Sequence, residues 1–232
     1  MSSQAAEQNY EPVLSTHPEL PSDERILRRR LLQVLLAPPA SEAITYEEFL
    51  DWADEDTLAE WVDGKIVMTS PASTIHQTIA GFLLKVMGIY AETHKVGVMI
   101  SSPFQMKLEN GREPDLLFIA NDHLSRLKST YLEGPADLVV EIVFPESTGR
   151  DRGEKFTEYE AGGVLEYWLI DPQRRWAEFY QLRNGRYHLA YAGEAGDYHA
   201  QVLPGFWLRV EWLWPQTMPP VLEVLRMLQV IA

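Results

Sequence analysis

The sequence predicts an α/β domain. A mixed central sheet is flanked by helices in the order helix, three strands, helix, strand, and an antiparallel C-terminal extension follows. Three observations predict it. From Ser73 to Lys95, apolar residues fall at Ile75, Ile79, Phe82, Leu83, Val86, Met87 and Tyr90. These steps of three and four mark a long amphipathic helix. The segments DLLFIA (115–120), DLVVEIVF (137–144) and VLEYWLID (164–171) are nearly continuous apolar runs, the pattern of strands buried on both faces. Between the last two lies a helical stretch, RDRGEKFTEYEAGG, whose Gly162-Gly163 ending is a helix stop.

The remaining elements follow in order. Residues 1–21 are polar, with Pro12, Pro18 and Pro21, and are expected to be poorly ordered. Ser22 to Pro39 reads as a capped helix with a proline stop, and its Arg28-Arg29-Arg30 run as a solvated face. We therefore expect an N-terminal extension over 1–42, partly disordered with one helix, and one domain over 43–232. Thr45 to Glu55 reads as a short capped helix. The Asp63-Gly64 pair between Trp61-Val62 and Ile66 to Met68 predicts a hairpin. The stretch 96–108 reads as a long strand bent near Pro103. WAEFYQL, RYHLAYA and WLRVEW alternate as short strands, with a turn at Asn184-Gly185. Val221 to Ile231 closes the chain as an amphipathic helix.

Composition narrows the chemistry. The 232 residues contain 46% hydrophobic and 11% aromatic side chains, enough for a sizeable core. No cysteine is present, which removes disulfides, thiolate nucleophiles and cysteine zinc sites. The start, MSSQAAEQNY, lacks the charged-then-apolar form of a signal peptide. No apolar run reaches the ~18 residues of a membrane helix. A cytoplasmic protein with no membrane partner is expected. The net charge of -14 argues against loose, sequence-independent nucleic-acid binding, which rests on phosphate neutralisation. Phosphate loops, dinucleotide glycine fingerprints and nucleophile elbows are missing.

One residue contradicts its surroundings. In LVVEIVF, Glu141 sits within an apolar strand. A buried carboxylate must be paired, protonated or bound to a metal. Asp115 stands at the mouth of the preceding apolar strand, and Lys155 on the helix that follows Glu141. If the two strands pair, Asp115, Glu141 and the backbone carbonyl of Ile142 make an all-oxygen site of the kind that suits Mg2+ or Mn2+. A nearby lysine then positions or activates a water and stabilises charge on a phosphate. Each residue also has an ordinary reading. Asp115 can be a turn or cap residue. Lys155 can pair with Glu154 or Glu158 on its own helix. Glu141 can bridge to Arg150 or Arg152. Glu60, before the Asp-Gly turn, can complete an acidic cluster. Auxiliary candidates are His76, near the start of the long helix, where it faces the site, caps or packs; Tyr159, one turn after Lys155; and Ser147, which with Thr148 donates to phosphate or caps the next helix.

The run PADLVVEIVFPEST through DRGEKFTEYEAGGVLEYWLIDP resembles the Uma-two family, a bacterial family classed with the PD-(D/E)XK nucleases of restriction-endonuclease-like fold. The resemblance reaches back through EPDLLFIA, SSPFQMKL, SPASTIHQTIAGFLLKV and EWVDGKIV, covering about 43 to 213. It implies that Asp115, after Pro114, fills the PD position and Glu141 the (D/E) position. Val143 stands where the lysine of the motif is expected, and the family's lysine role falls on Lys155. Glu60 matches the family's acid before the turn, whereas Lys65 stands where relatives often carry Glu. The resemblance implies a divalent-metal-dependent endonuclease acting on nucleic acid, DNA foremost, with a homodimer as a plausible working form. The alternative is a catalytically silent nucleic-acid- or protein-binding member of the same fold, which the missing lysine at 143 and the charge of -14 favour. Trp207, Trp212 and Trp214 are candidates for a dimer contact or for the core.

Overall fold

A computed structural model describes residues 43–53, 57–68, 72–143 and 149–232. The helix expected over 22–39, the extension as a whole, and Ser147 and Thr148 lie outside the described residues. The first helix, α1 (Tyr46–Trp52), begins at a capping box. Thr45 Oγ1 accepts the Glu48 N–H at 3.1 Å, and the Glu48 carboxylate accepts the Thr45 N–H at 2.8 Å. Two of the orphan donors of a helix start are thus satisfied reciprocally. Strands β1 (Ala59–Val62) and β2 (Lys65–Met68) form the expected hairpin. Asp63 and Gly64 both take positive φ there, 50° and 76°, as a two-residue turn of this twist requires. The long period becomes α2 (Thr74–His94), capped by Ser73 and ended by Lys95 in the left-handed region.

The stretch 96–108 is not one bent strand. It divides at Ser102-Pro103 into β3 (Gly97–Ser101) and β4 (Gln105–Lys107), which join different sheets. Proline cannot donate to a ladder, so pairing changes partners there. Then come β5 (Gly111–Arg112), β6 (Leu116–Ala120), a 3-10 helix (Asn121–Arg126), β7 (Tyr131–Glu133) and β8 (Leu138–Ile142). A turn of π-helix (Arg150–Glu154) leads into α3 (Lys155–Gly162), which stops at Gly163 with φ 88°. The rest is β9 (Glu166–Asp171), β10 (Trp176–Arg183), β11 (Arg186–Gly193), β12 (Asp197–His199), β13 (Trp207–Arg209), a 3-10 helix (Val210–Leu213) and α4 (Val221–Met227). WLRVEW is therefore half strand and half 3-10 helix, and the last helix stops at Met227 rather than Ile231.

The six-stranded sheet has the order β11-β10-β9-β8-β6-β3. Its β8–β9 pair is parallel, joined by the crossover through α3, and the other pairs are antiparallel. It is the expected mixed sheet, and β10 and β11 are its antiparallel extension. The second sheet has the order β2-β1-β5-β4-β7. Strand alternation splits the core in two. Leu116, Phe118, Leu138, Val140 and Ile142 pack with α2 and the C-terminal segment. Leu117, Ile119, Val139 and Val143 pack with Tyr159 of α3. Trp212 and Trp214 are buried in the first cluster and Trp207 is packed against it, so these tryptophans are core. Among the described residues, no helix is long and apolar enough to cross a membrane.

Candidate active site

Glu141 shares its strand face with Val139 and Val143, the face covered by α3. Lys155 and Tyr159 lie four residues apart on that helix and reach the same carboxylate. Lys155 Nζ is 2.9 Å from Glu141 Oε1, and Tyr159 Oη donates to the same oxygen at 2.8 Å. Lys155 is also 2.9 Å from Glu60 Oε1 and 3.8 Å from Asp151 Oδ1. Glu60 is fully buried on β1, so the second sheet supplies one wall of the site.

Asp115 arrives by register. The last paired residues of β6 and β8 are Leu116 and Val140; one step further places Asp115 opposite Glu141. Its Oδ2 accepts the Ile142 N–H at 2.6 Å, and its Oδ1 is 2.9 Å from His76 Nε2. Ile142 thus enters the site first through its N–H, and His76 faces the site while Ser73 caps the helix start. Of the residues singled out in the sequence, Glu60, His76, Asp115, Glu141, Lys155 and Tyr159 meet, and Ser147 lies outside the described residues. Lys155 does not pair with Glu154 or Glu158, nor does Arg152 reach Glu141. Arg152 bonds Glu178 instead.

Arg112 is the largest omission of the sequence reading. It is 2% exposed and contacts Glu60 at 3.2 Å, Glu158 at 2.8 Å and Glu154 at 3.7 Å. It ties the second sheet to the helix that carries Lys155. Nothing local to GREPD marks such an arginine, because its partners are 46 and 52 residues away. Asp151 was findable, being four residues before Lys155 in a stretch read as helical.

Electrostatics follow from burial. Burial alone would raise Glu60, but Lys155 and then Arg112 outweigh it and hold the carboxyl below its ordinary range. Burial pushes Glu141 well above that range, with Asp151 and Asp115 adding to it against the pull of Lys155. Burial works against the Lys155 charge, yet Glu141, Glu60 and Asp151 together hold the ammonium above its usual value. Lys155 is therefore a fixed positive charge. Burial and then Glu60 raise Glu113 to about 7. Among the described residues, no three Asp, Glu or His groups are arranged to hold a metal ion alone; the lysine ammonium lies among three of the acids.

Residues 46–211 match the Uma2 family model, described as "Putative restriction endonuclease", and the chain belongs to that family. It is also similar to a solved structure from Anabaena variabilis, titled a "putative nuclease belonging to DUF820". The TM-score is 0.65 at 16% identity, covering 75% of this chain and 99% of that one. At that identity the likeness shows the fold, which is restriction-endonuclease-like. No curated protein matches.

Proposed function

We propose that this protein is a divalent-metal-dependent endonuclease that hydrolyses phosphodiester bonds of nucleic acid, DNA foremost. The meeting of Asp115, Glu141 and Lys155 at one end of a restriction-endonuclease-like sheet carries the reading. The donor set fits a hard cation in its chemistry. It offers two carboxylates from neighbouring strands, and Glu141 Oε2 takes neither of the contacts that fall on Oε1. The carbonyl of Ile142 is the third oxygen in this reading. Mg2+ or Mn2+ bound there would supply an acidified water and offset charge on the scissile phosphate.

The chain's own residues do the rest. The Ile142 N–H and His76 fix the Asp115 carboxylate at both oxygens. Tyr159 and Lys155 hold Glu141 by one oxygen, which orients the other. Lys155 keeps a positive charge where an attacking water and a phosphoryl oxygen would meet. Glu60 Oε1 holds the same ammonium at 2.9 Å. A cytoplasmic setting and a homodimer, one copy for each strand of a duplex, belong to this reading.

One observation favours a second reading, a catalytically silent binding member of the fold. The Lys155 ammonium already neutralises Glu60 and Glu141 in place. A cleavage assay separates the two. Plasmid and oligonucleotides are incubated with Mg2+, Mn2+ or chelator, beside Glu141→Ala. The endonuclease nicks with metal, stops with chelator, and loses about 100-fold or more in the variant. Absence of cutting under every condition leaves the binding reading.

A further inference from the structure

We infer that a pocket beside the acidic cluster receives a nucleobase that carries an exocyclic amine, with Glu113 accepting its N–H. The pocket has a volume of about 450 Å³, within the range of clefts that hold small organic groups. Its apolar lining includes Phe49, Leu50 and Phe104, and its polar lining Gln105, Glu113 and Thr130. It adjoins the cluster through Glu113 itself. The Glu113 main-chain N–H donates to Glu60 Oε1 at 3.3 Å, and Glu113 is one of the residues lining the pocket. Asp115 follows two residues later.

Charge selects the class of occupant. Among the described lining residues Glu113 alone is ionisable and none is cationic, so nothing there attracts a phosphate and a neutral group is admitted. Hydrogen bonding narrows it further. Gln105 Nε2 donates to the Ala59 carbonyl at 2.8 Å and to Glu113 Oε2 at 3.3 Å. Both amide hydrogens are engaged, which leaves the carboxylate as an acceptor facing a ligand. Gln105 Oε1 is itself buried beside Gly111 and offers the pocket nothing, so the Glu113 carboxylate is the charged acceptor there. A carboxylate acceptor takes a ligand group that donates. Cytosine and adenine present an amine where uracil and thymine present O4 and guanine presents O6. The half-buried ring of Phe104 supplies an aromatic surface of the kind on which bases stack. The pocket would thus hold a base flanking the scissile phosphate, and this inference rests on nucleic acid being the substrate.

The test uses the full chain in chelator, with cytidine and uridine as separate neutral probes in saturation-transfer NMR. Transfer to the cytidine base protons is expected to exceed that to uridine by about fivefold or more. Leu50→Trp, which fills the pocket, should abolish it, and Glu113→Gln should remove the preference. Equal transfer to the two nucleosides, no transfer to either, or transfer that survives Leu50→Trp in folded protein overturns the inference. The wild-type comparison stands even if a variant fails to fold. Nucleosides carry no phosphodiester, so cutting and base binding are read separately. Plasmid cleavage without a nucleoside preference sinks the pocket alone, and a preference without cleavage sinks the endonuclease alone.

Discussion

Glu141 illustrates how a carboxylate survives inside an apolar strand. Its Oε1 takes a lysine ammonium and a tyrosine hydroxyl at 2.9 and 2.8 Å. The lysine in turn is shared with Glu60. Such a group is strongly interdependent, because removing one member strands the others in a low-dielectric site. Arg112→Met should cost on the order of 3 kcal/mol in urea unfolding, since Glu60 and Glu158 lose a buried partner; an unchanged midpoint would refute the linkage. Glu113 yields a pH prediction. Its folded pKa of about 7 lies above the ordinary 4.5, so the folded state binds the extra proton between those values. Its contribution to stability is therefore lost as pH rises from about 4.5 through about 7. Glu113→Gln should gain on wild type in the urea midpoint between about pH 5 and pH 8 in chelator; a constant difference would exclude the shift. Much of the cluster was legible in the sequence. An acid in an apolar strand and a lysine and tyrosine one turn apart need only local pattern. Arg112 was not legible, because its role depends on two sheets meeting.

At the scale of elements, long periods were readable and short strands were not. Helix α2 and strands β6, β8 and β9 announce themselves by apolar content over five residues or more. Strands β5, β7 and β12 span two or three residues, too few for a period to show. The 96–108 stretch misled because alternation continues across Pro103 while the pairing partner changes. Glycines provide the element-scale tests. In the interior of α2, a methyl group at Gly81 meets nothing within 4 Å, so Gly81→Ala should stabilise by roughly 0.5–1 kcal/mol. At Gly97 on β3, the same methyl would lie 2.3 Å from the Ile119 carbonyl oxygen and 2.7 Å from the Phe118 ring. Gly97→Ala should therefore destabilise by about 1–3 kcal/mol or more. Thermal melts of the two variants should move in opposite directions, and a shared direction would contradict the packing described.

The whole molecule places its site where two sheets and a helix join. The six-stranded sheet brings Asp115 and Glu141, the smaller sheet brings Glu60, and α3 brings Lys155. The family match ends at 211, yet Trp212 and Trp214 beyond it complete the core under α2. A chain of net charge -14 has no general attraction for phosphates, so a cation at the acids would be the local means of meeting a nucleic acid. The proposed endonuclease requires Asp115 and Glu141 to share that cation. Titration of Mn2+ into the wild-type protein and Asp115→Asn, with free Mn2+ read by electron paramagnetic resonance, decides whether they do. One ion per wild-type chain is expected, with binding weakened about tenfold or more in the variant. No uptake by the wild-type chain, or equal uptake by both proteins, would contradict it.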